Sequence, residues 1–73
     1  MSREPVDSTS IASIGYLPGL GILEVEFLQG GVYQYLGVPS EEHQALMQAA
    51  SKGQHLNRVI KGRFPFQRAG GQR

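Results

Sequence analysis

The stretch that decides the fold is residues 22–36, ILEVEFLQGGVYQYL. Its first half alternates apolar and acidic residues, so Leu23, Val25 and Phe27 share one face of a strand and the two intervening glutamates share the other. Residues 29–31 contain two glycines and predict a hairpin turn, after which the chain returns as an antiparallel strand. The stretch therefore predicts a β-hairpin with one apolar and one polar face.

The length of the hairpin loop decides the role of Tyr33 and Tyr35, which are two apart and point to one face about 7 Å from each other. A two-residue loop places both rings on the polar face, where they could stack on bases or on a partner protein. A three-residue loop, residues 29–31, pairs Phe27 with Tyr33 and Val25 with Tyr35, which makes both tyrosines part of the core. A shift of one residue in the pairing of the two strands therefore moves both tyrosines from one face of the sheet to the other.

Outside the hairpin, the sequence predicts one further strand and two short helices. Residues Ser10–Tyr16 are rich in β-branched side chains and form the first strand. Ser40 is the expected N-cap of a helix that ends near Lys52 and Gly53, and the second helix runs from about Gln54 to Lys61. The predicted fold class is α+β, a three-stranded antiparallel β-meander followed by two short α-helices packed on one face.

The 73 residues are enough for one domain and little more. Residues 1–9 are polar and predict a flexible N-terminal segment. Residues 10–66 form the expected α+β domain. Residues 67–73 predict a disordered basic tail.

The charges are sorted by position along the chain. All six carboxylates lie before residue 51, accompanied by a single base, Arg3, whereas the other six bases follow and no acid accompanies them. A small domain polarised in this way usually binds an acidic partner with its basic end, most often nucleic acid. A solvated basic tail is the simpler interpretation.

Composition excludes several classes of function. The chain has no cysteine, and its two histidines are twelve residues apart, so we expect no disulfide, no metal site and no cofactor. No apolar run approaches the roughly 20 residues of a membrane span, and the first residues lack a secretory signal. We therefore expect a cytoplasmic protein, monomeric and without a membrane partner. A domain this small has little room for a substrate pocket, so we expect no enzyme.

Three side-chain combinations that could support catalysis favour structural roles. Glu24 and Glu26 share the polar face of a strand and are expected to be solvated. His43 falls in the first turn of the first helix and is expected at the surface or at the edge of the core. Ser51 could reach His55, but nothing supplies an oxyanion hole.

The candidate binding residues are basic and aromatic. Arg58 and Lys61 are three apart on the second helix and are expected to share a face. Further bases follow before the end of the chain, and such a cluster could neutralise three or four phosphates in a salt-dependent manner. The predicted nucleic-acid or partner site consists of Arg58, Lys61, Arg63, Arg68, Tyr33 and Tyr35.

Five blocks in order, SIxxIGY (10–16), LxVxFxxG (23–30), VYxYxxVP (32–39), AxxG (50–53) and NxxI (57–60), resemble the KTSC domain. That short module occurs at the C-terminus of some lysyl-tRNA synthetases and as a stand-alone protein. The resemblance covers about residues 8–66. It implies no catalytic activity and an autonomous RNA-binding role.

This sequence departs from the KTSC pattern in two places. His55 stands where an aromatic residue is common, and Gly62 interrupts the basic segment. The first departure affects the packing of the second helix, and the second frees the chain before Phe64.

The length of the chain is also similar to that of small Xanthomonas lytic-phage regulators that bind the RNA polymerase of the host. This narrower resemblance implies a non-enzymatic transcription regulator in the host cytoplasm. Such a protein would bind bacterial RNA polymerase, inhibit initiation at host promoters and favour read-through of terminators, with the basic C-terminal third near RNA or DNA. An RNA-binding module of the KTSC type is the alternative.

Overall fold

The computed structural model of the chain describes residues 3–70. These residues form one antiparallel sheet of five strands, in which each strand pairs with the next along the chain. Along the chain, the helices come between the fourth and fifth strands. The elements are β1 (Glu4–Pro5), β2 (Ile11–Leu17), β3 (Ile22–Phe27), β4 (Val32–Tyr35), α1 (Ser40–Gln48), α2 (Lys52–His55), a π-helical turn (Leu56–Ile60) and β5 (Phe66–Gly70).

The α+β class is confirmed, but the prediction of three strands is wrong because the sheet has five. Strand β1 lies within the segment predicted to be flexible, and Glu4 pairs with Ile14. Strand β5 covers residues 67–70 of the predicted disordered tail, and Phe66 pairs with Tyr35. Both edge strands are short and polar, so their local signal is weak and their order comes from the backbone ladder of the neighbouring strand. The remaining residues of both predicted terminal segments, 1–2 and 71–73, lie outside the described part of the chain.

The β3–β4 hairpin has a three-residue loop, residues 28–30, closed by a hydrogen bond from the Phe27 amide to the Gly31 carbonyl (3.1 Å). Tyr33 lies opposite Val25 and Tyr35 opposite Leu23. Both tyrosines therefore share the apolar face of β3, as in the core alternative. Their partners differ from the expected ones by two residues, because the loop begins one residue earlier than predicted.

The helices cover the apolar face of the sheet. Leu23 and Val25 from β3 are fully buried beneath Leu46 of α1 and beneath Leu56 and Ile60 of the π-helical turn. Complete burial of such a side chain contributes roughly 1.5–3 kcal/mol. The other buried hydrophobic residues are Ile11, Ile14, Val32, Tyr35 and Val38.

The helix boundaries differ from the predicted ones. Helix α1 begins at Ser40, and its N-cap position is occupied by Pro39 without a side-chain cap. Lys52 and Gly53 open the second helix instead of ending the first, because the hydroxyl of Ser51 accepts a hydrogen bond from the Gln54 amide (3.4 Å).

Gly53 lies in close contact with Ser10. A Cβ atom at this position would lie 2.5 Å from the Ser10 hydroxyl oxygen. The absence of a side chain therefore lets the start of α2 rest directly against the residue that precedes β2.

Within residues 3–70, no helix is both long enough and apolar enough to cross a membrane.

Candidate nucleic-acid interface

A pocket of about 750 Å³ opens at one edge of the helix-covered face. The aromatic rings of Phe27, Tyr33, Tyr35 and Phe66 form one side of it. Phe66 is in contact with both tyrosines, at ring-centre distances of 5.6 Å to Tyr33 and 5.7 Å to Tyr35. Phe27 meets Tyr33 edge to face at 5.7 Å. The pocket therefore presents several aromatic rings on which a planar ligand could stack.

The opposite side of the pocket comes from α2 and the π-helical turn. Gly53, Leu56, Asn57 and Lys61 line it there, and Thr9, Ser10, Leu28 and Gln29 complete the rim. None of these lining residues is a carboxylate. An anionic group could therefore enter the pocket without meeting a like charge.

Two cations lie over the aromatic rings of the pocket. The Lys61 ammonium is 5.3 Å from the centre of the Phe27 ring, and the Arg68 guanidinium is 5.6 Å from the centre of the Tyr33 ring. Both side chains are exposed. We call the four rings and these two cations the aromatic cleft.

The cleft unites four of the six predicted binding residues, Tyr33, Tyr35, Lys61 and Arg68. Arg58 does not line the pocket. The Lys61 amide donates a hydrogen bond to the Leu56 carbonyl (2.9 Å), five residues back, so this turn is wider than a turn of α-helix. Arg58 and Lys61, three residues apart, therefore point in more different directions than they would on an α-helix.

Arg63 is also outside the pocket. Its guanidinium bonds to the Glu42 carboxylate (3.2 Å) and lies 5.4 Å from the centre of the Phe64 ring. This predicted site residue is therefore engaged at another surface.

Sequence reasoning missed two rings of the cleft and one further residue of the pocket. Phe27 is predicted only as part of the apolar face of its strand, yet its half-buried ring also reaches the pocket. Phe66 is 56% exposed, and its place next to Pro65 in a polar segment was the available signal. Asn57 carried no signal of its own, because its place at the pocket depends on how the π-helical turn is seated.

Tyr35 lies at the bottom of the pocket and is only 2% exposed. Burial, with a contribution from nearby Tyr33, raises the pKa of its phenol above the usual value. The hydroxyl is therefore neutral at physiological pH and can both donate and accept a hydrogen bond.

The other face of the sheet carries a row of polar side chains that we call the polar ladder. The Arg3 guanidinium contacts the hydroxyl of Ser13 (3.0 Å) and the Glu24 carboxylate. The Gln34 amide donates to Glu24 (2.8 Å), and the Gln67 amide donates to Gln34 (2.8 Å). The ladder thus connects residues beside or within all five strands.

Glu24 is 6% exposed, so the expectation that it is solvated is wrong. Burial on its own would raise its pKa. Hydrogen bonds from Gln34 and Arg3, together with the charge of Arg3, outweigh burial and hold the pKa below the usual 4.5. The carboxylate is therefore ionised, paired and fully engaged in structure.

The remaining candidates for catalysis have structural roles. His43 stacks on Tyr16, with ring centres 4.5 Å apart, and burial lowers its pKa. Ser51 caps α2, as described above. Among residues 3–70, no three His, Asp or Glu side chains are grouped so that they could hold a metal ion.

Comparison with known proteins finds relatives of the chain in sequence and in structure. The sequence model of the KTSC domain matches residues 7–64. A solved structure of a KTSC domain protein from Yersinia pestis superposes with a TM-score of 0.91 at 49% identity, over 94% of this chain and 97% of that chain.

Two sequence relatives extend the comparison. An uncharacterized protein from Stutzerimonas stutzeri is 49% identical over 61 residues, which are 84% of this chain and 86% of that protein. A lysine–tRNA ligase from Nostoc punctiforme is 39% identical over 61 residues, but the match covers only 11% of that protein. This chain therefore corresponds to one small region of the ligase and belongs to the KTSC domain family.

Proposed function

We propose that this protein is a non-enzymatic module that binds single-stranded RNA in the aromatic cleft. The observation that carries the proposal is the position of both cations of the cleft over aromatic rings, Lys61 over Phe27 and Arg68 over Tyr33. Single-strand binding proteins combine these elements, because bases stack on aromatic rings while cations track the phosphates.

The absence of carboxylates from the pocket lining supports the same proposal. The glutamates of β3 face away from the cleft, and Glu24 is neutralised by Arg3 in the polar ladder. The fold thus keeps its central negative charges on the side of the sheet opposite to the proposed RNA. The similarity to a region of a lysine–tRNA ligase, which is named for an RNA substrate, favours RNA over DNA.

The test compares two double variants that each remove two positive charges. Lys61→Ala with Arg68→Ala removes the cations of the cleft, and Arg58→Ala with Arg63→Ala removes cations outside it. Binding of a fluorescent single-stranded RNA of about 12 nucleotides is measured by anisotropy, from about 25 to 200 mM salt. We expect the cleft variant to lose roughly tenfold in affinity and its log–log salt slope to fall by about 1.4.

The control variant should bind nearly as well as the original protein. Equal losses in both variants would mean that RNA responds only to overall charge. Unchanged binding in the cleft variant, or no binding by the original protein at low salt, would overturn the proposal.

Regulation of bacterial RNA polymerase, including inhibition of initiation and antitermination, remains a prediction. No contact in the cleft favours it, and the relatives described above come from bacteria. Its test is direct recovery of purified polymerase on the immobilised protein at low salt. Recovery that persists in the cleft variant would favour polymerase over RNA as the partner.

A further inference from the structure

The hydroxyl of Tyr35 makes no hydrogen bond to another residue of the described range, 3–70, and it is not one of the buried polar atoms that lack a partner there. The Tyr16 hydroxyl, by contrast, is engaged within the protein, because it donates to the Val38 carbonyl. Tyr35 is almost entirely buried and lines the pocket. Its hydroxyl is therefore placed to bond whatever occupies that space.

Further polar groups face the same space. Asn57, Ser10 and Gln29 line the pocket, and none of them makes a side-chain hydrogen bond to another residue of the described range. An amide offers both donors and an acceptor. The lining can therefore recognise a ligand that carries donors and acceptors along one edge.

The shape of the pocket favours a flat ligand. Aromatic rings form one side, and Gly53, Leu56 and Asn57 form the helical side. The volume of about 750 Å³ lies within the range of small-molecule sites and can hold one nucleotide. Lys61 lines the same pocket with its cation, where a phosphate attached to the ligand would be neutralised.

We propose that the pocket receives one unstacked nucleobase of the bound strand, edge first, and that the Tyr35 hydroxyl hydrogen-bonds the polar edge of that base. The proposal rests on the proposed function and adds base selection to it. An aliphatic side chain of a protein partner fits less well, because it would leave the Tyr35 hydroxyl and the Asn57 amide unpaired when water is excluded. Any base can stack on the outer rings, whereas hydrogen bonds at the bottom of the pocket distinguish one base from another.

The test is Tyr35→Phe, which removes one oxygen and retains the ring in the core. Affinities are measured for oligoadenylate, oligouridylate and oligocytidylate of equal length. We expect the original protein to prefer one of them and Tyr35→Phe to weaken that one by about threefold to tenfold, the effect of a single hydrogen bond. The salt slope should not change, because no charge is removed.

The matched control is Tyr16→Phe, which removes a hydroxyl on the far side of the core. It should retain the base preference of the original protein. The same preference in Tyr35→Phe, or equal affinity of the original protein for all three oligonucleotides, would overturn base selection while leaving RNA binding itself intact.

A second measurement separates this inference from the proposed function. If no oligonucleotide binds at low salt, nucleoside monophosphates are titrated against the protein and its amide resonances are followed by NMR. Shifts confined to Leu56, Asn57 and Tyr35, with a weaker affinity in Tyr35→Phe, would support the base pocket without strand binding. No shifts at these residues would overturn it.

Discussion

The two faces of the sheet bury their side chains in different ways. On the helix-covered face, apolar residues such as Leu23 and Val25 pack beneath the helices, and the aromatic cleft opens at one edge. On the opposite face, Glu24 is buried by Arg3 and hydrogen-bonded to Gln34. The side chains of the polar ladder hydrogen-bond one another, whereas the two cations of the cleft form no ion pair, and the Tyr35 hydroxyl no hydrogen bond, within residues 3–70. Ligand binding is therefore expected on the face that packs hydrophobic residues, because the groups on the polar face already satisfy one another.

The largest expected effect comes from the helix-covered face. Leu23→Ala should lower the free energy of unfolding by about 2–5 kcal/mol, because it leaves a cavity at a fully buried position. Urea denaturation followed by circular dichroism measures this loss. Leu20→Ala, at a position that is 70% exposed, is the control and should change stability little. Similar losses at both positions would contradict the assigned core.

A smaller effect is expected from the polar ladder. Arg3→Ala should cost about 1–2 kcal/mol near neutral pH, less than a fully buried pair, because Arg3 is partly exposed. The folded-state pKa of Glu24 is below the usual 4.5, so its contribution is present above that pH and is lost as the pH falls through the folded pKa. The difference between Arg3→Ala and the original protein should therefore shrink in acid.

Urea denaturation at about pH 7 and about pH 3 checks this sign. Arg58→Ala is the control, because Arg58 is exposed and forms no ion pair within residues 3–70. A difference between Arg3→Ala and the original protein that grows in acid would show that Arg3 does not stabilise the ionised carboxylate.

The contact between α2 and Ser10 can be measured with a double-mutant cycle. Gly53→Ala brings a Cβ atom within 2.5 Å of the Ser10 hydroxyl, which must rotate away. In a Ser10→Ala background that oxygen is absent. We expect the substitution to be less favourable by about 0.5–1.5 kcal/mol when Ser10 is present. Helix propensity cancels in the cycle, so a coupling near zero would contradict the close contact.

The smallest effect is expected at the far end of the polar ladder. Gln67 is exposed and contributes one hydrogen bond, to Gln34. Gln67→Ala should therefore change the free energy of unfolding by less than about 0.5 kcal/mol. Thermal denaturation alongside Arg3→Ala gives the comparison. A loss as large as that of Arg3→Ala would mean that the ladder acts as one cooperative network.

The strongly patterned part of the sequence predicted the centre of the fold. Alternation in β3 and the glycine-rich turn predicted the hairpin, but the sequence left the loop length open, and with it the face of Tyr33 and Tyr35, which the structure now assigns to the apolar side. The exact cross-strand partners of the two tyrosines were not predicted. A three-residue loop that begins one residue earlier keeps both tyrosines on the same face of the sheet but gives each of them a different partner on β3.

The parts that sequence did not predict depend on contacts between distant segments. Strands β1 and β5 gain order only by pairing with β2 and β4. The buried Glu24 carboxylate is paired with Arg3, twenty-one residues away. The separation of Arg58 from Lys61 depends on a π-helical turn, which the spacing of residues in the sequence does not predict. Aromatic and basic composition therefore indicated the kind of site, and long-range packing selected its members.

The insertion of both helices between β4 and β5 has a consequence for local motion. Short turns connect the inner strands, whereas β5 can join the sheet only after a long excursion of the chain has been closed, which costs more entropy. Amide protons of β5 should thus exchange with solvent sooner than those of β2 and β3. Phe66 and Arg68 belong to that strand, so the proposed RNA would contact a strand that is expected to open sooner than β2 and β3. Occupancy of the pocket should then be visible as slower hydrogen exchange along β5.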